Sequence, residues 1–322
     1  MVGVTVTESD AAERRGECAW VGLWCLAIQL VVTGHYLQVG WSIGTQVPQA
    51  WSVVAGLIGT LGLPLILVDI GGQAGRLVAL SWPALLRTWV VPALAAHTLW
   101  LSACVMLLRR YDDGLVGVPL GGSRDLLAIL LNPPPEMSLL YALALFPVLA
   151  KLTRRVPAVL LIGGLVAATV LVGTATLLAF LAVGLRLTGQ PFTTSASRTN
   201  LLGRAALAVA GLAISGVQAL PDGLAAVVAG LAVLPFGLAV VAPAAGRAPA
   251  SVRRAVVAGF LMLVPAVAVT NKALLARLSV ASTPMQLVVA LAWPVVWAVG
   301  LLVAAAIVVA VGRRIAAMVF EG

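Results

Sequence analysis

VPAVLLIGGLVAATVLVGTATLLAFLAVGLRL, Val156–Leu187, is a run of 32 residues whose first charge is Arg186. A helix that crosses a bilayer needs about 20 apolar residues, so the run is too long for one crossing and short for two. Its reading fixes the sidedness of everything that follows it, and the flanking charges decide that reading. The strong basic clusters are Arg14/Arg15, Arg76/Arg87, Lys151/Arg154/Arg155, Arg247/Arg253/Arg254 and Arg313/Arg314. Cytoplasmic loops of membrane proteins collect Lys and Arg. One crossing by 156–187 strands the last two clusters outside. Two short passes, hinged near Gly173-Thr174, put every cluster on the cytoplasmic side. The two passes must then be thin or tilted.

Working outward, apolar spans are drawn at roughly 18–39, 51–73, 88–108, 137–152, 200–217, 223–246, 255–275 and 286–312. The expected fold is all-α: a polytopic transmembrane helix bundle of about ten spans with both termini inside. A cytoplasmic tail, 1–17, precedes the bundle, 18–314, and a second tail, 315–322, follows it. The first tail mixes Glu8, Asp10, Glu13 and Glu17 with its two arginines, which is no signal-peptide n-region, so the segment is expected to be retained. Trp41 and Trp51 fall at the outer interface under this topology, and Trp82 and Trp89 at the inner one. The longest outer loop runs from about Arg109 to Glu136 and closes on Asn132-Pro133-Pro134-Pro135, which cannot continue a helix.

Composition excludes several function classes. Of 322 residues, 61% are hydrophobic and 10% charged, against roughly a quarter charged in soluble domains. The net charge of +9 is scattered through short loops and encodes orientation, so no nucleic-acid partner is expected. Cys18, Cys25 and Cys104 all fall within spans and form no disulfide framework. No phosphate loop, metal-ligand spacing or nucleophile elbow is present, and no metal is expected. The Ala, Leu, Val, Gly and Arg bias is that of a high-GC bacterial gene, which points to the bacterial cytoplasmic membrane.

Ionisable groups inside spans are the natural candidates for chemistry, because a bilayer penalises them. His35 ends the first span; it reads either as a base for an acceptor hydroxyl or as a hydrogen-bond strut to a neighbouring helix. Asp69, before Gly71-Gly72, reads as a substrate contact or as half of an ion pair with Arg76 or Arg87. His97 is a second candidate base or a strut. Glu136 lies near an outer span end, where snorkelling competes with substrate contact.

Three blocks carry a family resemblance: Val31-Val32-Thr33-Gly34-His35; Leu63-Pro64-Leu65-Ile66-Leu67-Val68-Asp69-Ile70-Gly71-Gly72 with Arg87 and Pro92 beyond; and Pro135-Glu136-Met137-Ser138-Leu139-Leu140-Tyr141-Ala142-Leu143-Ala144-Leu145-Phe146-Pro147. Together they resemble the family-3 integral membrane acyltransferases. His35 and Arg87 match family positions. Trp24 stands where the family usually has an arginine, Val90 at the second site of its Arg-x-x-Arg pair, and Glu136-Met137-Ser138 where it writes His-Leu-Trp. The resemblance implies O-acylation of a cell-surface sugar, glycolipid or natural product, with acetyl-CoA or another acyl-CoA as donor. His35 would be the catalytic base, Arg87 and Arg76 would meet the donor phosphates, and Asp69, His97 and Glu136 would contact substrate. A catalytically inactive relative, acting as a membrane transporter or assembly partner, is the other class, and Trp24 favours it. A proton relay through Asp69 and His97 is a third reading, without the inverted repeat expected of a transporter.

Overall fold

The computed structural model describes residues 21–30, 49–111, 138–172, 174–187, 198–215 and 221–244, together with single positions and short pieces between 259 and 311. Every regular element among them is helical. In chain order these are α1 (Val21–Leu30), α2 (Gln49–Gln73), α3 (Gly75–Ala79), α4 (Trp82–Leu85), a π-helical turn (Leu86–Val90), α5 (Val91–Tyr111), α6 (Leu139–Leu152), α7 (Ala158–Ala168), α8 (Thr174–Leu187), α9 (Arg198–Ser215) and α10 (Asp222–Ala244). Three stretches, Gly56–Ala79, Trp82–Met106 and Gly223–Val240, are long and apolar enough to cross a membrane. The shorter α1, α6, α7, α8 and α9 are apolar as well. Large apolar side chains stand bare on their outer faces, Leu99 at 74% exposure and Val159 at 81%. Such faces suit hydrocarbon as solvent and not water.

The 156–187 run is not one helix. It breaks between the end of α7 at Ala168 and the start of α8 at Thr174. Thr169 turns its hydroxyl back on the Val166 carbonyl at 2.6 Å, and β-branched Val170 and Val172 follow, a local chemistry that competes with helix propagation. The Leu171 and Val172 amides close the turn on the Ala168 carbonyl at 3.0 and 2.9 Å. With so short a connection, α7 and α8 fold back against each other.

Two compact units emerge. The first comprises 1–63, 111–115 and 244–322. In it α1 meets the first half of α2 backbone to backbone: a Cβ on Gly62 would lie 2.6 Å from the Gly22 carbonyl oxygen and 2.8 Å from the Leu26 nitrogen. Only hydrogen at that position permits the approach.

The second unit comprises 64–110 and 116–243. Its core holds Leu65, Ile66 and Leu67 of α2, Phe146 of α6 and Phe180 of α8, all at 2% exposure or less. The second half of α2 crosses α8 through a reciprocal pair of glycines. A Cβ on Gly71 would sit 2.1 Å from the Leu181 carbonyl oxygen, and one on Gly184 would sit 2.1 Å from the Val68 carbonyl oxygen. α10 lays Gly230 against Phe180 and Pro64, and sets Ala232 against Gly211 of α9.

The π-helical turn has a cause in the sequence. Pro92 has no N–H to give the Thr88 carbonyl, so regular α hydrogen bonding fails there. The ladder widens instead, and the Val91 amide donates to Leu86, five residues back. Thr88 also turns its hydroxyl onto the Ala84 carbonyl at 2.6 Å. The helix nevertheless runs on from Trp82 to Met106.

Candidate functional site

The ends of α3, α4 and α6 meet around Lys151. Lys151 lies in the last turn of α6, and its ammonium donates to the Val78 carbonyl at 3.0 Å and to the Leu80 carbonyl. These carbonyls belong to the end of α3, where helix geometry leaves acceptors without donors. A cation there is also favoured by the helix dipole. The same ammonium lies 5.4 Å from the centre of the Trp82 ring, within cation–π range. One side chain thus ties the carboxyl end of α6 to the turn from which α4 starts.

Beyond Lys151 the chain turns sharply. The Thr153 amide and hydroxyl both return to the Leu149 carbonyl, at 2.8 and 2.7 Å, closing α6. Pro157 then opens α7. Arg154 and Arg155 are confined to this short turn and are exposed. Arg186, at the end of α8, donates from Nη2 to the Val156 carbonyl at 3.1 Å and brings a further guanidinium to the same turn.

Ser81, Trp82, Lys151, Leu152, Arg154 and Arg155 line an open cleft of about 610 Å³. Among the described residues no carboxylate pairs with Lys151, Arg154 or Arg155. Three cationic heads thus share one cleft with an indole and the 67% exposed Leu152, and two of them, Arg154 and Arg155, are exposed. Such a set of groups suits an anion that also carries apolar or aromatic surface.

The residues marked in the sequence distribute as follows. Asp69 is buried at 5% exposure on α2, two residues before the Gly71–Leu181 crossing. His97 is buried at 2% exposure on α5. Neither His97 ring nitrogen has a hydrogen-bond partner among the described residues, so it is not joined to Asp69. Leaving such a donor or acceptor unmet costs about 1–3 kcal/mol. Its neighbour is the Tyr141 ring of α6, with centroids 5.5 Å apart and planes tilted by 38°. Arg76 on α3 and Arg87 in the π-helical turn are both exposed. They flank, along the chain, the Ser81-Trp82 turn that lines the cleft. His35 and Glu136 lie outside the described residues.

Sequence reading assigned Lys151, Arg154 and Arg155 to topology and Trp82 to an interfacial belt, and so missed them as a site. The available signal was the Lys-x-x-Arg-Arg spacing at the end of an apolar helix. Its partner, the Ser-Trp-Pro helix start at Ser81, lies some 70 residues upstream. Comparison of the chain with family models, with curated proteins and with solved structures finds no match.

Proposed function

We propose that the chain is an integral membrane O-acyltransferase that moves an acyl group, acetyl in the first instance, from acyl-CoA to a hydroxyl of a cell-surface sugar, glycolipid or natural product. The observation that carries this reading is the cleft of Lys151, Arg154, Arg155 and Trp82. Acyl-CoA presents phosphates and a purine at one end and a pantetheine arm that bears the thioester at the other. Arginine forks suit its phosphates and an indole suits its purine, which leaves the thioester-bearing arm to extend from the cleft toward the acceptor. A volume of about 610 Å³ is in the range of small-molecule sites.

In this reading Arg76 and Arg87, on either side of the Ser81-Trp82 turn, extend the cationic surface toward the donor. His35 takes the proton of the acceptor hydroxyl as the oxygen attacks the thioester carbonyl, and the thiol of coenzyme A leaves. Asp69, His97 and Glu136 serve the acceptor. The topology is ten spans with both termini inside, in the bacterial cytoplasmic membrane. It puts the Lys151/Arg154/Arg155 cluster on the cytoplasmic side, where acyl-CoA is found.

The alternative is a relative without catalysis, serving as a transporter or assembly partner; Trp24, in place of the arginine the acyltransferase family usually carries, favours it. Equilibrium binding of radiolabelled acetyl-CoA to membranes holding the full chain, followed by transfer to a panel of hydroxyl acceptors, separates the two. The expected result is binding that free coenzyme A displaces and that His35→Ala retains, with transfer lost in His35→Ala by about 10²–10⁴-fold. Binding without transfer to any acceptor favours the alternative. No binding removes the basis of the donor assignment.

A further inference from the structure

Among the described residues, the buried face of α5 is apolar with one interruption. Val90 at the end of the π-helical turn and Leu101, Cys104 and Val105 of α5 are buried, and His97 sits among them at 2% exposure. Among the described residues neither of its ring nitrogens meets a hydrogen-bond partner. Tyr141 packs its ring against the imidazole, at 5.5 Å between centroids and a 38° tilt. That contact satisfies neither nitrogen. A neutral imidazole brings one donor and one acceptor wherever it is placed. Buried polar groups in native proteins find partners, in water if not in the chain. A leucine or phenylalanine would fill this position without polar demand, so the histidine has a use that packing does not supply.

We propose that His97 is the polar anchor of a small buried site for a neutral hydroxyl-bearing guest, either a resident water or the hydroxyl of an alcohol or sugar. A hydroxyl both donates and accepts, so it suits either ring nitrogen in either tautomer. The stripe on α5 around His97 is apolar and provides no counter-charge, which favours a neutral guest. The proposal deepens the reading of His97 as a contact of the acceptor hydroxyl and uses nothing of the donor cleft, so its failure leaves acyl-CoA binding untouched.

The test is magic-angle-spinning NMR on the full chain in lipid bilayers, with histidine labelled by ¹⁵N in the ring. The protein has two histidines, so assignment is direct. The His97 resonance is the one lost in His97→Gln, or, where that variant does not fold, the one kept in His35→Gln. Magnetisation is transferred to the ring nitrogens from water and, in a parallel sample, from ¹³C-glycerol. Transfer from water to a His97 nitrogen identifies a resident water; a ¹³C–¹⁵N contact identifies an alcohol site. Either result supports the proposal. A His97 ring that receives magnetisation from neither overturns it.

Discussion

The Trp89 indole N–H donates to the Leu143 carbonyl at 2.9 Å, and Pro147, four residues beyond Leu143, explains why that carbonyl is open. A residue with an amide at 147 would close the α-helical bond to Leu143. Proline cannot, and a freed carbonyl inside an apolar bundle needs a donor from elsewhere. Trp89 reaches it from the π-helical turn. The two proline-perturbed helices are thus joined where each departs from regularity.

Trp89→Phe removes the donor and leaves a smaller aromatic ring in its place. It is expected to destabilise the protein by about 1–3 kcal/mol. In a Pro147→Ala background the loss should shrink, because the alanine brings a backbone amide that serves the Leu143 carbonyl directly. Unfolding of the purified protein in detergent, run as a double-mutant cycle, measures the coupling. Equal losses in both backgrounds would show that the indole bond does not compensate for the proline.

Gly71→Ala and Gly184→Ala should each impair folding severely, because the added carbon would stand 2.1 Å from a backbone oxygen of the opposing helix. Forced overpacking of this kind costs about 1–3 kcal/mol and sometimes more. Gly163→Ala on α7 is the control, with nothing within 4 Å of the added carbon. Its yield and melting temperature should match or exceed those of the parent, since alanine is the better helix former. Similar behaviour of all three variants would refute the close crossing of α2 and α8.

Lys151 and its arginine neighbours should separate by phenotype. Lys151→Met loses two carbonyl contacts and the indole contact, so its melting temperature should fall. The pair Arg154→Gln/Arg155→Gln should keep the parent melting temperature and weaken acetyl-CoA binding by about 10-fold, equivalent to about 1.4 kcal/mol. The weakening should fade at high salt, where the parent's own binding is screened. Unchanged binding in the double variant would separate the cleft from the donor.

Reporter fusions after Arg254 and after Gly322 should both give cytoplasmic signals. An extracellular signal at either position would reject the ten-span arrangement with both termini inside.

Much of the fold was legible because membranes impose simple rules. The apolar runs at 51–73, 137–152, 200–217 and 223–246 fall close to α2, α6, α9 and α10, since length and hydropathy depend on neighbours in sequence. The break in 156–187 was legible from the sidedness of basic clusters that lie far from it. The start of the 88–108 span was not. Pro83 and Pro92 look like helix breakers on paper, yet the first occupies the opening turn of α4, where its missing amide does no harm, and the second is absorbed by the π-helical turn. The candidate site was the least legible part. Lys151 and the Leu80 carbonyl it caps lie 71 residues apart, and no local periodicity reports such a pairing. His97 was visible as an ionisable residue in a span; its lack of a polypeptide partner among the described residues is a property of packing alone.

The hairpin of α7 and α8 has a consequence for parity. At 1.5 Å per residue, α7 with 11 residues and α8 with 14 rise only about 16 and 21 Å, each less than the thickness of a hydrocarbon core. A hairpin returns its ends to the side from which they came, whether it pierces the bilayer and comes back or turns around halfway. In the proposed topology the number of crossings between Arg155 and Arg186 is then even in both cases. Sidedness downstream is therefore insensitive to how deep the hairpin reaches, and bilayer thickness can alter its depth without inverting the rest of the chain.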